Sequence, residues 1–268
     1  MAAGRGGGRQ SPARATMLAG VSPALQDKVV AITGASSGIG EATALACAAE
    51  GAAVGLAARR GDRIEALAQR IASEGGRALA VEADVSEEEQ ARSFIERTHA
   101  ELGGLDALVN NAGVMLLGPV ADAPTEEWRR MIGVNVFGVL YCTHAAIPLM
   151  REQGSGDIVT VSSVAGRVAR LGSGVYNLTK FGIGAFSESL RQELSPQGIR
   201  VTLVEPGMVA TELVSHNRPE VQERIHERLD GVTPLQAEDI ASAIVFAIGR
   251  PGHVSVNELL IRPSNQQG

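Results

Sequence analysis

One stretch near the start restricts this chain more than any other. Val29-Val30-Ala31-Ile32 is a short, unbroken apolar run, as expected of a strand buried on both faces of a parallel sheet. It leads directly into Thr33-Gly34-Ala35-Ser36-Ser37-Gly38-Ile39-Gly40 and then into a helical stretch over residues 41–50. Glycines let the backbone turn tightly and approach a ligand closely, while the free N–H groups and positive dipole end of the helix favour an anion. Strand, glycine turn and helix in that order form a phosphate-binding unit. The spacing is Gly-x-x-x-Gly-x-Gly, not the commoner Gly-x-Gly-x-x-Gly. Among 32 glycines a glycine turn alone means little, and the flanking strand and helix give this one its weight.

The alternation continues along the chain. Residues 52–58, 78–83, 107–109, 158–162, 201–204 and 258–261 read as further strands. Residues 62–73, 87–102, 125–153 and the stretch from Tyr176 to about 194 read as helices. Parallel strands joined by helices imply right-handed crossovers and an α/β fold with one doubly wound, seven-stranded parallel sheet. No linker divides residues 27–268, which form a single domain. Residues 1–26 are rich in Gly, Ala and Arg and carry no acidic residue before Asp27. They read as a disordered leader rather than a transit peptide, because the Gly6-Gly7-Gly8 run, Pro12 and Pro23 oppose an amphipathic helix.

Composition excludes some functions. A net charge of −6 gives no basic face for nucleic acid. No apolar run approaches the ~18–20 residues that cross a bilayer, so no membrane is expected. Cys47 and Cys142 are too few for a disulfide framework and fit a reducing, cytoplasmic setting. No metal is expected.

The chemistry points to Tyr176-Asn177-Leu178-Thr179-Lys180. A spacing of four puts phenol and ammonium on one helical face. A nearby lysine charge is expected to pull the phenol toward a working acid–base range. The chain has two lysines, Lys28 and Lys180, among 24 basic residues, so a retained lysine implies a task a guanidinium cannot do. Ser163 follows the apolar run Ile158-Val159-Thr160-Val161, and its hydroxyl can reach the oxygen on which Tyr176 acts if strand and helix converge.

With these motifs the chain resembles the short-chain dehydrogenase/reductase superfamily from Lys28 to near its end. The matching residues are Thr33-Gly34-x-x-x-Gly38-x-Gly40, Asp84-Val85, Asn110-Asn111-Ala112-Gly113, Asn135, Ser163, Tyr176-x-x-x-Lys180 and Pro206-Gly207. The resemblance implies a Rossmann fold and reversible hydride transfer between a nicotinamide dinucleotide and a carbonyl or alcohol. It implies Asn135, Ser163, Tyr176 and Lys180 as catalytic residues, with Asn135 holding a water that relays protons from the lysine; a packing role for this mid-helix Asn is the alternative. Gly34, Ser36, Ser37, Gly38, Ile39 and Gly40 would cradle the pyrophosphate. Asp84 would bind the adenine, with Val85 beside it, or else cap a turn. Asn111, Ala112 and Gly113 would line the dinucleotide's path, and Lys180 would hold the nicotinamide ribose beside Tyr176. Pro206, Gly207, the Val209 backbone and the Thr211 hydroxyl would hold the nicotinamide amide.

The second strand ends at Ala58 with Arg59-Arg60 following and no carboxylate, which favours the 2′-phosphate of NADP(H) over the ribose of NAD(H). Arg59 is expected as the main phosphate ligand with Arg60 as helper, unless both are solvated charges. Residues 212–233, with His216, Arg218, Arg224, His226 and Arg228, read as a mobile substrate lid or as a solvated amphipathic helix. Arg167 and Arg170 are further candidates for an anionic substrate, and Met115, Leu116 and Leu117 for an apolar wall.

In detail the chain is similar to NADP-dependent 3-hydroxy acid and serine dehydrogenases and to clavulanic acid dehydrogenase, which reduces a β-lactam aldehyde. Val114-Met115-Leu116-Leu117-Gly118-Pro119, Val164-Ala165-Gly166-Arg167-Val168 and Asn257-Glu258-Leu259-Leu260-Ile261-Arg262-Pro263 carry that likeness. It implies a small-molecule substrate and a homotetramer, or a dimer. A nucleotide-sensing regulator without turnover is the rival from another class. An epimerase or dehydratase would show a Gly-x-x-Gly-x-x-Gly turn and a larger C-terminal region.

Overall fold

Seven short apolar runs become parallel strands: β1 (Val29–Thr33), β2 (Ala53–Ala58), β3 (Arg77–Glu82), β4 (Ala107–Asn110), β5 (Gly156–Val161), β6 (Ile199–Pro206) and β7 (Glu258–Ile261). They pair in the order β3-β2-β1-β4-β5-β6-β7. The computed structural model describes residue 1 and residues 24–228 and 231–266, so most of the expected leader lies outside the described residues.

The connecting helices are α1 (Gly38–Ala49), α2 (Gly61–Ser73), α3 (Glu88–Leu102), α4 (Thr125–Ile132), α5 (Gly138–Gln153), α6 (Gly174–Leu194), α7 (Pro219–Arg228) and α8 (Ala237–Ile248). Side chains alternate across each strand, which feeds two separate cores. Val30, Ile32 and Val109 join residues of α1, α2 and α8. Ala31, Leu108 and Ile158 join residues of α3, α5 and α6 on the other face. Both faces of β1 and β2 are covered, hence their unbroken apolar runs. The strand order reverses between β1 and β4, and such a switch point opens a crevice at the carboxyl ends of the strands.

Three differences from the sequence reading have physical causes. Helix α8 was not anticipated; its start is marked by a capping box in which the Gln236 N–H donates to Asp239 Oδ2 at 2.8 Å. The expected helix over residues 125–153 is interrupted at Gly133–Phe137 by a π turn centred on Asn135. That whole stretch is long and apolar enough, by length and composition, to span a bilayer, contrary to the expectation that none would be. In the structure its Met131, Cys142, Ala146 and Met150 belong to the core beside the sheet.

Order also begins before Lys28. Ala24 N–H donates to Glu50 Oε2 at 2.8 Å and Leu25 N–H to Glu50 O at 3.1 Å. Leu25 is fully buried in the cluster that contains Cys47, Ile244 and Ile248. Leu25→Ala is expected to cost about 2–5 kcal/mol in urea unfolding; an unchanged midpoint would return this residue to the leader.

Candidate functional site

The turn between β1 and α1 needs its glycines. Gly34 and Gly38 have φ of 68° and 55°, a region other side chains rarely adopt. A Cβ on Gly40 would lie 2.3 Å from Gly34 O, so α1 can approach the turn only without a side chain there. The neighbouring strand end locks the turn in place. Thr33 Oγ1 accepts the N–H groups of Asn111 and Ala112, each at 3.0 Å, and Asn111 Nδ2 donates to Thr33 O at 2.9 Å. The Asn111 amide is thus spent on shaping the turn.

At the end of β2 it is Arg60, not Arg59, that lies against the turn. Its Nε donates to Ser36 Oγ at 3.1 Å and Nη2 to Ser36 and Ser37 Oγ at 2.9 and 2.7 Å, while Nη1 reaches Glu212 at 2.8 Å. Arg59 is more exposed and faces Asp84 Oδ2 at 3.8 Å. Asp84 Oδ1 accepts the N–H of Ser86 at 3.0 Å and its hydroxyl at 2.7 Å, so the turn role does occur, and Ser86 does not cap α3.

Beyond the sheet, β5 and α6 bring Ser163, Tyr176 and Lys180 together. Ser163 caps a short 3₁₀ turn (Val164–Gly166), its Oγ accepting the Ala165 N–H at 3.1 Å. Lys180 Nζ donates to Val161 O at 3.0 Å and lies 5.8 Å from the centre of the Tyr176 ring. Burial pushes the Tyr176 phenol up to about 12, opposed by hydrogen bonding to Ser163. Burial draws the Lys180 ammonium down to about 8. The expected lowering of the phenol by the ammonium is not met in this cleft, where desolvation dominates and the opposing influence on Tyr176 is the Ser163 hydrogen bond.

Asn135 sits behind Lys180. Its Oδ1 accepts the Val114 N–H at 2.8 Å and its Nδ2 donates to Val114 O at 2.9 Å, so the amide fastens the segment after β4. Ser162 points to the α6 backbone, donating to Lys180 O at 3.2 Å. Asn177, which the sequence reading passed over, ties the loop after Ser163 to α6. Its Nδ2 donates to Ala165 O at 2.7 Å and Val168 O at 3.0 Å, and its Oδ1 accepts the Arg170 N–H at 3.2 Å.

After β6 the backbone of Met208 and Ala210 pairs with Leu235: Ala210 N–H donates to Leu235 O at 2.8 Å and Leu235 N–H to Met208 O at 3.0 Å. Alternation turns Val209 N–H and C=O the other way, as a clamp for an amide requires. Gln266 Oε1 accepts the Met208 N–H at 2.9 Å, a long-range contact with no local sequence signal. Thr211 packs against the glycine turn, where a Cβ on Gly38 would come within 3.0 Å of its methyl.

Residues 212–228 lie over this ground as a 3₁₀ turn (Glu212–His216) and α7. Leu117 N–H donates to Asn217 Oδ1 at 2.7 Å, and Ile225 is buried. A cleft of about 800 Å³ runs from the Arg60 end to Tyr176. It is lined by every predicted cofactor or catalytic residue except Gly40 and Asn135, which stand behind its wall. Met115, Leu117, Arg170 and His216 also line it, whereas Leu116 turns into the core.

Other substrate candidates are placed elsewhere. Arg167 forks onto buried Glu205, Nε to Oε1 at 2.7 Å and Nη2 to Oε2 at 2.6 Å, and also pairs with Glu258. Arg218 faces Glu127 at 3.6 Å and, with Arg224, does not line the cleft. The side chains of His226 and Arg228 lie outside the described residues.

The short chain dehydrogenase family matches residues 28–222. An uncharacterized oxidoreductase of Staphylococcus saprophyticus is 42% identical over 246 residues, covering 90% of this chain and 98% of that protein. A glycine betaine reductase of Emericella nidulans is 39% identical over 242 residues, 90% of this chain, but the match spans only 19% of that longer protein. Among solved structures, the closed form of serine dehydrogenase complexed with NADP+ superposes with a TM-score of 0.83 at 31% identity, covering 90% of this chain and 96% of that one. With the glycine turn and the Ser163–Tyr176–Lys180 group meeting in one cleft, the chain belongs to the short-chain dehydrogenase family and is an oxidoreductase of that family.

Proposed function

We propose that the protein reduces an aldehyde or ketone to an alcohol, reversibly, with NADPH as the cofactor. The observation that carries this reading is the convergence of Ser163, Tyr176 and Lys180 in the cleft that begins at the glycine turn. The residues present fit the dinucleotide. The turn has space only for backbone, Arg60 stands with two serine hydroxyls at the end of β2, and the residues that end the strand, Ala58-Arg59-Arg60, are basic where a ribose-binding acid would stand. The solved relative bound to NADP+ supports the same choice.

When bound, the dinucleotide supplies the hydride. Tyr176, protonated at neutral pH because burial holds its phenol up near 12, gives its proton to the carbonyl oxygen as charge grows there. Ser163, oriented by its own bond to the Ala165 N–H, donates a hydrogen bond to the same oxygen. Lys180 keeps a positive charge beneath the phenol and would hold the nicotinamide ribose. The reverse reaction needs Tyr176 as phenolate, so alcohol oxidation gains as pH rises. Asp84 would hold the adenine, and Asn135 keeps the segment after β4 in place through Val114.

The substrate is proposed to be small and polar or a clavaldehyde-like intermediate. A 3-hydroxy acid or serine is the second reading, favoured by the serine dehydrogenase likeness and by Arg170 lining the cleft. A cytoplasmic homotetramer is proposed as well. Phe137 stacks on Tyr141 with ring centres 5.6 Å apart, and Phe137 of the π turn with Leu178 and Phe181 of α6 leave apolar surface. Sedimentation should show four chains, and a monomer at micromolar concentration would refute that assembly.

Turnover of a panel of aldehydes, ketones and hydroxy acids tests the chemistry. Ser163→Ala should lower kcat about 10²–10³-fold. Tyr176→Phe should remove nearly all activity while NADPH still binds, and a phenylalanine variant that turns over would exclude the mechanism. Arg60→Ala should weaken NADPH by about 10–100-fold, the worth of its charge-assisted bonds, and leave NADH unchanged. Equal losses for both cofactors would instead assign Arg60 to the turn alone.

A further inference from the structure

Glu212 stands between two arginines at the nucleotide end of the cleft. Its Oε2 accepts Arg60 Nη1 at 2.8 Å and its Oε1 accepts Arg63 Nη1 at 2.9 Å. It is the first residue of the lid's 3₁₀ turn, whose far end is docked through Asn217 onto Leu117. A guanidinium has five N–H donors. In Arg60, Nε serves Ser36, Nη2 serves Ser36 and Ser37, and one Nη1 hydrogen serves Glu212, which leaves a single donor uncommitted. A phosphate dianion prefers two-pronged contact with a guanidinium. It can obtain that here only by displacing a partner Arg60 already has.

We infer that Glu212 is an internal stand-in for the 2′-phosphate: its carboxylate occupies the Arg60–Arg63 clamp, and an adenosine 2′-phosphate displaces it, unfastening the lid at the nucleotide end. The inference rests on the NADP(H) reading above and extends it to Arg63 and Glu212. Glu212 then sets cofactor affinity by competition. It lowers affinity for the phosphorylated nucleotide and does not touch the unphosphorylated one. The acid is strongly held in its charged form, since hydrogen bonds from Arg60 and then Arg63 hold it down to about 2, so it competes throughout the physiological range. Both ion pairs are solvent-exposed, and pairs of that kind are individually weak, which is what a displaceable latch requires.

The test uses the full chain and two probes without a nicotinamide, adenosine 2′,5′-bisphosphate and adenosine 5′-monophosphate, titrated by calorimetry. Glu212→Gln should tighten the bisphosphate about three- to tenfold, the release of weak exposed pairs, and leave the monophosphate unchanged. Glu41→Gln removes a charge that also acts on Arg63 without a contact to Arg60, and should change the bisphosphate by much less. In the wild type, hydrogen exchange over residues 212–216 should rise with the bisphosphate and not with the monophosphate. If Glu212→Gln binds the bisphosphate no better than wild type, or no better than Glu41→Gln, the stand-in role is wrong although NADP(H) preference stands. If the wild type fails to distinguish the two probes, both the inference and the NADP(H) reading fall.

Discussion

The contact between the end of β5 and the first turns of α6 positions the group to which the chemistry is proposed to belong. Lys180 is tied to that strand twice, by Nζ to Val161 O at 3.0 Å and by its own carbonyl to the Ser162 hydroxyl at 3.2 Å. The packing leaves no slack, because a Cβ on Gly166 would fall 3.0 Å from both Lys180 O and Ser162 Oγ. Ser163, next along the strand, and Tyr176, one turn earlier on the helix, inherit their relative positions from that fit. The Asn177 amide closes the loop between them.

This closeness has an electrostatic cost. A phenol and an ammonium taken out of water both shift toward their neutral forms, Tyr176 up and Lys180 down. A site so arranged holds a proton ready on the tyrosine and keeps a lysine near its titration point, a combination suited to passing protons in either direction. Around it the fold spends polar groups on rigidity. Asn135 clamps Val114, Thr33 and Asn111 brace the glycine turn, and Arg167 anchors the loop after Ser163 to Glu205 and Glu258. Several residues that look like ligands in a motif also fasten the fold.

Much of this was legible from local patterns. Unbroken apolar runs such as Val29-Val30-Ala31-Ile32 announce a covered parallel strand, and all seven strands lie where the chain reads as strand, although β3 and β7 at the sheet's edges are partly exposed. The Tyr176–Lys180 spacing guarantees a shared helical face wherever the helix is placed. Helix α8 was legible too, since Ala237, Ile240, Ala241, Ile244, Ala247 and Ile248 recur at helical spacing and the Gln236–Asp239 box marks its start. The π turn at Asn135 has no comparable signature, since it depends on what the amide finds across 21 residues of chain.

What the sequence determined alone was therefore the seven strands, most of the helices between them, the glycine turn and the shared helical face of Tyr176 and Lys180, because spacing and periodicity are properties of neighbours along the chain. Which arginine faces the glycine turn was decided only by the tertiary structure, which brings Arg60 onto Ser36 and Ser37 of the turn and onto a carboxylate 152 positions away. The same holds for the direction of each shifted proton affinity and for Arg167, turned from the cleft by buried Glu205. Desolvation and long-range pairing act on these groups only once distant segments are packed together, and no local pattern encodes them.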